Sequence, residues 1–527
     1  MRKKLKIGFI ITDAGIPAWY FETIHKFLTR IEDDIYFIKI PISNSKTKKP
    51  LFYKLFERFE DRWFNSEFDA LKLFASDSLL NLSNAFAVKA STGLWLDQHD
   101  LASLRAYEFD IIYTIDFDET SSENLSSVSV YGLWYIRFGI GKYQNKLPVA
   151  FWEVMQNCAI TGSSLLTRKN DKTFILYEGT TRTVPYSVKN NFNSIAWKTA
   201  SYLELKSEAL SLSDEYFFSR YAQTQPPQFS NTSLPGVTMP FLFIKNSFRY
   251  LVQKLQQKFN RKRFTLHYAN TKFTLEHFTK TRFSSIPLPP AVFYADPFVI
   301  EKEGVIYIFF EEFQSSKNKA QISMIKIVNN EVSKVTPVLE RPYHLSYPFV
   351  FFYEGFYYMI PETSSNKTVE LYRAANFPNG WEFVMNLVEG KEMIDATLHF
   401  SNGKWWLFAN SASHPFVSTN DQLFLYYSPD LFSNKWIPHP QNPIATHIDN
   451  CRPAGRVFKY LDKYYRPAQN NASQQYGYGL KFNEIISLNE TEYEEKEILS
   501  ITPELLGLKA CHHIDFAENF IVIDGFE

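Results

Sequence analysis

A fivefold repeat in the second half of the chain constrains its fold most strongly. The copy from Ala295 reads ADPFVIEKEGVIYIFFEEF and the copy from Ser346 reads SYPFVFFYEGFYYMIPETS, with proline and glutamate at matching places. Three further copies start at Ile394, Arg452 and His512, and the copies recur at intervals of about 47 to 61 residues. Each copy has two apolar runs joined by a short turn, as in the first two strands of a propeller blade. The repeat therefore predicts an all-β, five-bladed propeller.

Polar residues occupy equivalent positions in the five copies. In a propeller the innermost strands leave one face of a central channel, so residues at their starts form a ring. An aspartate before a proline is also typical of a simple turn or strand start. Because the residues differ in charge and shape between copies, we favour a ligand site. The first ring comprises Asp296, Tyr347, Asp395, Arg452 and His512 or His513, and the second ring comprises Glu311, Glu362, Asn410, Gln469 and Asp524.

The first 215 residues have a different pattern, in which short apolar runs alternate with helical stretches. The run LKIGFIIT at 5–12 is typical of a buried strand, and WYFETIHKFLTRI at 19–31 has the apolar spacing of a helix. We predict an open, Rossmann-like α/β domain over residues 1–215. Its glycines Gly8 and Gly15 do not form the G-x-G-x-x-G pattern of a dinucleotide site.

A polar and then basic segment separates the two halves. The stretch QTQPPQFSNTSLPG has the composition of a linker, and FIKNSFRYLVQKLQQKFNRKRF at 243–264 is typical of a basic helix. Such a helix is compatible with contact to a membrane surface or a phosphorylated glycan, and equally with a solvated helix face. We therefore predict a linker and basic helix over residues 216–284 and a propeller over residues 285–527.

Charge and cysteine content narrow the partners and the compartment. Lys+Arg and Asp+Glu both number 56, so the chain has no net field that would attract nucleic acid, and we predict no nucleic-acid partner. The three cysteines are too few and too scattered for a disulfide framework or a four-cysteine zinc site, and no metal site is predicted. The apolar run after the basic N-terminus is shorter than that of a signal peptide. A cytoplasmic location is expected.

The YADP stretch, followed by a strand, a glycine turn and an aromatic strand, resembles the first blade of the five-bladed glycoside hydrolases of family 43. In those enzymes one aspartate is the general base and a second tunes a glutamic acid. The resemblance implies Asp296 as the base, Asp395 as the tuning carboxylate, and Glu362 or Glu311 as the acid. The acid of that family usually starts a later blade, where this chain has an arginine and a histidine. Hydrolysis is therefore the less favoured activity.

Motifs spread over residues 280–527 are similar to the propeller domain at the N-terminus of plant glucosamine inositolphosphorylceramide transferases. They include HLSYPFVF, MIPETS, IDATL and RPAGRVF. The resemblance implies a propeller that works in a glycan setting, and in the plant proteins the glycosyltransferase domain is a separate one.

Residues 131–179, from YGLWYIRFGIGKYQ to NDKTFILYEG, resemble the core of the formyltransferase family. Those enzymes use an Asn-x-His pair and a distant aspartate to move a formyl group from formyltetrahydrofolate to an amine. The matching positions here are Tyr135, Arg137 and Asp171. Because a guanidinium stays protonated, Arg137 cannot be a base, but it can hold an oxyanion, a phosphate or a carboxylate. We expect Asp171 to pair with it, and formyltetrahydrofolate is not the favoured cofactor.

The resemblances together imply a bacterial transferase of surface-polysaccharide or glycolipid biosynthesis. Its propeller would bind the glycan, and its formyltransferase-like domain would bind a nucleotide-linked donor. Two alternatives stay open: a noncatalytic glycan-binding protein with a degenerate formyltransferase domain, and a propeller glycoside hydrolase. The expected partner is a carbohydrate or sugar-nucleotide ligand.

Overall fold

The chain forms two compact units. One comprises residues 1–256 with the segment 414–417, and the other comprises residues 257–413 with 418–527. The computed structural model describes residues 3–12, 15–30, 33–40, 49–64, 68–80, 86–89, 98–115, 124–144, 146, 148–212, 217–224, 235–259, 263–473 and 477–526.

The first unit contains a mixed eight-stranded sheet and several helices. Its strands are β1 Lys6–Thr12, β2 Ile16–Pro17, β3 Asp34–Ile40, β4 Leu73–Phe74, β5 Phe86–Lys89, β6 Ile111–Thr114, β7 Leu133–Phe138, β8 Ile160–Lys169, β9 Lys172–Arg182 and β10 Gln223–Thr224. Its helices are α1 Ala18–Arg30, α2 Leu51–Trp63, α3 Asp77–Leu80, α4 Gln98–Arg105, α5 Phe151–Met155, α6 Val188–Thr199, α7 Tyr202–Leu212 and α8 Met239–Phe259.

The strand order of this sheet is β10-β9-β8-β7-β6-β1-β3-β5. Strands β5, β3, β1, β6 and β7 run parallel to one another, whereas β8, β9 and β10 each pair antiparallel with the strand before them in the sheet. Central β1 is a continuous apolar run in which Ile7 and Phe9 are fully buried, as expected of a parallel strand covered on both faces. The predicted α/β sheet is confirmed, and its assignment to the formyltransferase type stays a prediction.

The second unit consists of five antiparallel sheets, which we number in chain order as blades 1 to 5. Blade 1 contains β13 Val292–Lys302, β14 Val305–Gln314, β15 Lys319–Val328, β16 Glu331–Val332 and β17 Thr336–Leu339. Blade 2 contains β18 Ser346–Tyr353, β19 Phe356–Thr363, β20 Thr368–Asn376 and β21 Asn379–Glu389, and blade 3 contains β22 Ile394–Ser401, β23 Lys404–Asn410, β24 Leu423–Ser428 and β25 Ile437–Pro438. Blade 4 contains β26 Phe458–Tyr460, β27 Lys463–Asn470, β28 Gly479–Leu488 and β29 Tyr493–Ile501. Blade 5 contains β30 Ile514–Ala517 and β31 Phe520–Gly525 with β11 Thr265–Ala269 and β12 Ser284–Ser285.

Five buried apolar clusters join these blades, one for each pair of neighbours. Phe309 and Met359 belong to the cluster between blades 1 and 2, and Trp406 and Tyr493 to the cluster between blades 3 and 4. Blades 2 and 3, 4 and 5, and 5 and 1 share the remaining clusters. Because every blade packs on two others, the blades close into a ring, and the predicted five-bladed propeller is confirmed.

The ring is closed by strands from both ends of the propeller sequence. Strand β11 pairs with β31 and β12 pairs with β11, so blade 5 takes two strands from before blade 1. The propeller therefore starts near Thr265, and the predicted limit at residue 285 is wrong. Neither short strand carries the repeat pattern, which explains why the sequence predicted a linker and a helix over residues 216–284.

A search of the helices in the described residues for a membrane span found no helix long and apolar enough to cross a bilayer.

Candidate functional site

Blades 1, 2 and 3 share an unusual backbone at the start of their innermost strands. Asp296, Tyr347 and Asp395 have φ angles of 51°, 44° and 52°, in the left-handed region. The pairing register of each blade shifts at this point, as in a β-bulge. Left-handed backbone at non-glycine residues is strained, and such residues cluster at functional sites. The repeat has thus placed three first-ring residues in one conformation.

Blades 4 and 5 depart from this arrangement. Gln469 donates its backbone N–H to the carbonyl of Arg452 over 2.8 Å, and Ala295 and Glu311 form the equivalent pair in blade 1. Pro453 therefore takes the first-ring register in blade 4, one residue after the position that the sequence assigned to Arg452. Blade 5 pairs without a bulge.

A buried charged cluster joins blade 5 to blade 1. Nε2 of His512 lies 3.3 Å from Oδ1 of Asp296, and its Nδ1 lies 3.1 Å from Oδ2 of Asp524. Asp524 also accepts the backbone N–H groups of Asp296, His512 and His513. The sequence predicted all four residues for this site, and the structure brings them together.

The protonation states of this cluster follow from burial and charge. Burial alone would lower the pKa of His512, but the two carboxylates outweigh it and raise that pKa to about 10. Burial would likewise raise the pKa of Asp296, but the hydrogen bond and charge of His512 lower it to about 2. The cluster is therefore two carboxylates sharing one imidazolium.

The same three side chains are the group in the described residues that could hold a cation. One ligand atom from each of Asp296, His512 and Asp524 lies within 4.8 Å of the others, and all three residues are buried. Two carboxylates and an imidazole suit a divalent ion, but the His512 ring would first have to lose a proton.

A second buried cluster lies between blades 3 and 4. The Arg452 guanidinium binds the Asp395 carboxylate through two nitrogens, Nε on Oδ2 and Nη2 on Oδ1, the latter over 3.2 Å. Gln469 donates to Oδ2 of Asp395 over 3.2 Å, and Asn420 accepts from Nη1 of Arg452 over 2.9 Å. Asp395 is thus fully paired, and Asn420 is a contact that the repeat pattern could not reveal.

Glu362 of the second ring adjoins this ion pair. Its Oε2 accepts the backbone N–H of Asp395 over 3.2 Å, and its Oε1 accepts from Ser364 over 2.7 Å. Burial and then the negative charge of Asp395 raise the pKa of Glu362 to about 8. Glu362 is therefore a neutral acid at physiological pH, and it retains partial exposure.

Glu311 of blade 1 has a partner that the sequence did not suggest. Its Oε1 lies 3.2 Å from Nε2 of His344, whose side chain is 37% exposed. Burial raises the pKa of Glu311 despite this contact. His344 lies just before the second copy of the repeat, outside the equivalent positions, so no pattern identified it.

Tyr347 of the first ring has a packing role. Its hydroxyl lies 2.8 Å from Oγ1 of Thr397 and accepts the backbone N–H of Gly455 over 3.1 Å. Its ring stacks on His513 with centroids 5.1 Å apart. Tyr347 thereby links blades 2, 3, 4 and 5 at the inner strand ends.

An ion pair that sequence reasoning missed joins Arg456, just before blade 4, to the buried Asp515 of blade 5. Arg456 donates from Nε and Nη2 to the two oxygens of Asp515 over 2.6 and 2.8 Å. Asp515 also accepts the backbone N–H of Val299 over 2.8 Å. The signal was a charged residue inside each of the apolar motifs RPAGRVF and HHIDF.

Asn410 of the second ring differs from its counterparts. Asp524 and Glu362 each accept the backbone N–H of a first-ring residue in the next blade. In the next blade after Asn410 that register belongs to Pro453, which has no N–H to donate. Among the described residues, neither polar atom of the buried Asn410 amide has a hydrogen-bond partner. An amide in this state is suited to a ligand or an ordered water.

The residues predicted in the α/β unit do not form a common site. Arg137 is buried, its Nη2 lies 3.6 Å from Oε1 of Glu178 and 3.5 Å from Ser164, and Tyr135 is buried in the same strand. Asp171 lies in the exposed turn between β8 and β9. Since Ser164 is the pairing partner of Arg137 and lies seven residues before Asp171, the separation is roughly 23 Å. The expected pairing of Arg137 with Asp171 is wrong, because the β8–β9 hairpin carries Asp171 away.

The known proteins whose sequences resemble this chain match it mainly over the propeller. Residues 265–510 match the family model described as glucosamine inositolphosphorylceramide transferase 1, N-terminal. Glucosamine inositolphosphorylceramide transferase 1 of Oryza sativa subsp. japonica is 34% identical over 236 residues, which are 43% of this chain and 31% of that protein. The Arabidopsis thaliana protein of that name is 32% identical over 213 residues, which are 40% of this chain and 28% of that protein. This chain thus spans about a third of the relatives' length, and relatives from plants do not support the expected bacterial setting.

Solved structures of glycoside hydrolases also resemble this chain. The family 117 enzyme Zg3597 of Zobellia galactanivorans has 12% identity and a TM-score of 0.34, with 49% of this chain and 80% of that chain covered. A thermostable family 43 glycoside hydrolase has 15% identity and a TM-score of 0.33, with 43% and 80% covered. Likenesses at this level carry no argument about activity.

Proposed function

We propose that this protein takes part in assembling a lipid-linked or polysaccharide glycan and that the two rings of its propeller bind a sugar of that glycan. The observation that carries the proposal is the convergence of charged and amide side chains at the inner ends of all five blades. Sugars are recognised by such fans of carboxylate, amide and guanidinium groups, often beside aromatic rings. The match of residues 265–510 to a domain of glycan-modifying relatives supports it.

The charge of the rings supports an amino sugar as the ligand. Asp296 and Asp524 carry two negative charges against one positive charge on His512, whereas Arg452 offsets Asp395. The rings therefore have an excess negative charge at neutral pH, which favours the ammonium group of an unacetylated amino sugar. The curated relatives are named for glucosamine and inositolphosphorylceramide. We propose glucosamine as the sugar class that the propeller binds.

Titration of the full chain with glucosamine, and with glucose as a neutral comparison, tests this proposal by calorimetry. Asp296→Asn removes one charge while keeping a residue type that tolerates left-handed backbone. We expect it to weaken glucosamine binding at least tenfold and to leave glucose binding unchanged. Asp462→Asn is the matched control, because Asp462 has a φ of 62° and a side chain that is 95% exposed. Equal affinity of the wild-type chain for the two sugars would contradict the proposal.

A second candidate function is acid–base chemistry at the propeller. It is favoured by one observation, namely that Glu362 is held neutral while Asp296 is held ionised. Pairs of carboxyl groups with pKa values pushed apart are typical of glycosyl hydrolysis and transfer. Glu362 would protonate the leaving oxygen, and Asp296 would take a proton from the attacking hydroxyl.

Turnover of glucosamine glycosides by the full chain tests this candidate. A general acid matters more for a poor leaving group than for a good one. Glu362→Gln is therefore expected to slow an alkyl glycoside much more than an aryl glycoside, and Asp296→Asn to slow both. Turnover that survives both substitutions would exclude the propeller as the catalytic unit.

For the α/β unit, we propose binding of a nucleotide-linked sugar donor. Its buried Arg137 supplies a cation for a phosphate, and the resemblance over residues 131–179 supports the assignment. A rise in melting temperature with a sugar nucleotide, lost in Arg137→Met, is expected. A rise with formyltetrahydrofolate instead would favour formyl transfer.

We also propose a reducing, cytoplasmic location for this protein. The three cysteines, which form no disulfide, support this proposal, and cell fractionation tests it.

A further inference from the structure

Helix α8 carries two apolar stripes on opposite sides. One stripe faces its own unit: Met239 is buried, Phe243 packs on α2, and Arg249 donates to the carbonyls of Val154 and Pro185 over 2.7 and 3.2 Å. These contacts fix the helix on the α/β unit. The other stripe consists of Phe241, Ile244, Phe248, Leu251 and Leu255, which are between 47% and 68% exposed.

The exposed stripe has the geometry of an interfacial helix. Its members follow a spacing of three and four residues, and at about 100° per residue they fall within roughly 80° of arc. Lys245 and Lys254 lie on the two flanks of that arc and are exposed. Lysines at such flanks bury their stems against apolar surface and keep their ammonium groups in the headgroup region.

The sequence around α8 is strongly one-sided in charge, although the whole chain is balanced. Residues 216–275 contain no aspartate or glutamate, whereas 239–264 alone contain seven lysines and arginines. The neighbouring helix α2 adds the exposed apolar residues Leu51, Phe52 and Leu55. It packs against α8 through Phe56 and Phe59, whose rings lie 6.0 and 4.9 Å from that of Phe243.

We propose that this surface, formed by the outer stripe of α8 and the adjoining exposed residues of α2, docks on an anionic lipid bilayer. Apolar side chains would enter the headgroup boundary, and the basic residues would contact anionic headgroups. A second copy of this chain is a poorer occupant, because a symmetric contact through α8 would bring together two basic helices from a stretch without acidic residues. The proposal does not depend on what the propeller binds.

Sedimentation of the full chain with vesicles tests the proposal. Vesicles of phosphatidylcholine with and without phosphatidylserine are the probes. We expect binding to the anionic vesicles, weakened at least tenfold in Phe241→Ser/Phe248→Ser. The matched control is Phe352→Ser/Phe383→Ser, which changes two exposed phenylalanines of the propeller and is expected to bind normally.

A charge variant separates lipid docking from other partners. Lys245→Gln/Lys254→Gln is expected to weaken binding to anionic vesicles by roughly 25-fold, at about fivefold per lysine. No sedimentation of the wild-type chain would overturn the proposal, as would equal losses in the propeller control. If the lysine variant lost vesicle binding and the phenylalanine variant did not, the contact would be purely electrostatic. That result would overturn lipid docking in favour of a soluble polyanion. A phenylalanine variant that instead halves the mass in solution would indicate a second copy.

Discussion

Asp524 in blade 5 and Glu362 in blade 2 hold equivalent places in the propeller, but Asp524 is ionised and Glu362 is neutral. Each accepts the backbone N–H of a first-ring residue in the next blade. Asp524 has the His512 imidazolium at 3.1 Å, and that charge lowers its pKa against the effect of burial. The cation near Glu362, Arg452, is bound to Asp395, and burial together with the negative charge of Asp395 outweighs the Arg452 charge and raises the pKa of Glu362 to about 8.

The difference shows what sets protonation in this ring. Fold position supplies the same backbone donor to both carboxyl groups, and burial disfavours the charge of both. The local supply of cations decides which carboxyl group is ionised. Between blades 3 and 4 the Arg452 guanidinium pairs with one carboxylate, that of Asp395. Between blades 5 and 1 the His512 imidazolium contacts two carboxylates, those of Asp296 and Asp524.

Removing the cation of the Asp395 pair is expected to have the largest effect. Arg452→Met leaves Asp395 buried without its ion-pair partner, which should lower the free energy of unfolding of the propeller by about 3–5 kcal/mol. Urea unfolding measures this, with Arg373→Met as the exposed control expected within about 0.5 kcal/mol. Asp395→Asn combined with Arg452→Met removes the buried charge with a residue type that tolerates the left-handed backbone, and it should recover much of the loss. If Arg452→Met and Arg373→Met lowered the free energy of unfolding equally, the buried ion pair would be contradicted.

The His512 cluster predicts a loss of stability on the alkaline side. The pKa of His512 is raised from 6.5 to about 10, so the folded protein binds more protons than the unfolded one between these values. The contribution of His512 to stability should therefore be fully present below about pH 6.5 and fall by roughly 2–4 kcal/mol as pH rises to 10. In His512→Gln the fall in this window should largely disappear. Unfolding curves recorded across that pH range give the test. If His512→Gln kept the same dependence of unfolding free energy on pH, the imidazolium assignment would be contradicted.

Glu362 predicts a fall in a more acidic window. Its pKa is raised from 4.5 to about 8, so stability should decline as pH rises between these values, by roughly 1–3 kcal/mol. Glu362→Gln is isosteric and cannot ionise, and it should remove this part of the pH dependence while leaving the His512 part. Parallel pH profiles of the two variants measure the separation. Identical profiles would mean that the two clusters titrate as one.

The smallest expected effect concerns Asn410. Replacing an amide that has no hydrogen-bond partner should cost little, so Asn410→Leu is expected to keep or raise the free energy of unfolding by up to about 1 kcal/mol. Asn471 is a matched buried amide that contacts Gln469 and accepts the Gly477 N–H, and Asn471→Leu should be destabilising. Thermal unfolding of both variants compares them. A larger loss in Asn410→Leu would show that its amide has a structural partner.

The repeat made the propeller and most of its polar rings predictable. Equivalent copies fix register, so the sequence alone was enough to align Asp296, Tyr347 and Asp395. The bulge in their strands, the one-residue offset at Pro453 and the partner His344 depend on backbone geometry and loop position that a repeat does not encode. The strands of 265–285 that complete blade 5 carry no repeat, so the sequence placed them in the predicted linker and helix segment.

The α/β unit shows the limit of a single resemblance. The strand pattern predicted its sheet correctly, because apolar runs report burial directly. The proposed triad of Tyr135, Arg137 and Asp171 rested on one alignment without a second copy to check it. Arg137 instead contacts Glu178 on β9, a pairing that depends on how two long strands register.

Infrared difference spectroscopy of Glu362 tests the central claim most directly. At pH 6 the full chain should show a carbonyl-stretch band of a protonated carboxyl group that is absent in Glu362→Gln. That band should disappear as pH rises through about 8. Disappearance near the ordinary glutamate value of about 4.5, or an identical spectrum in Glu362→Gln, would contradict a neutral Glu362 in the same propeller as the ionised Asp296.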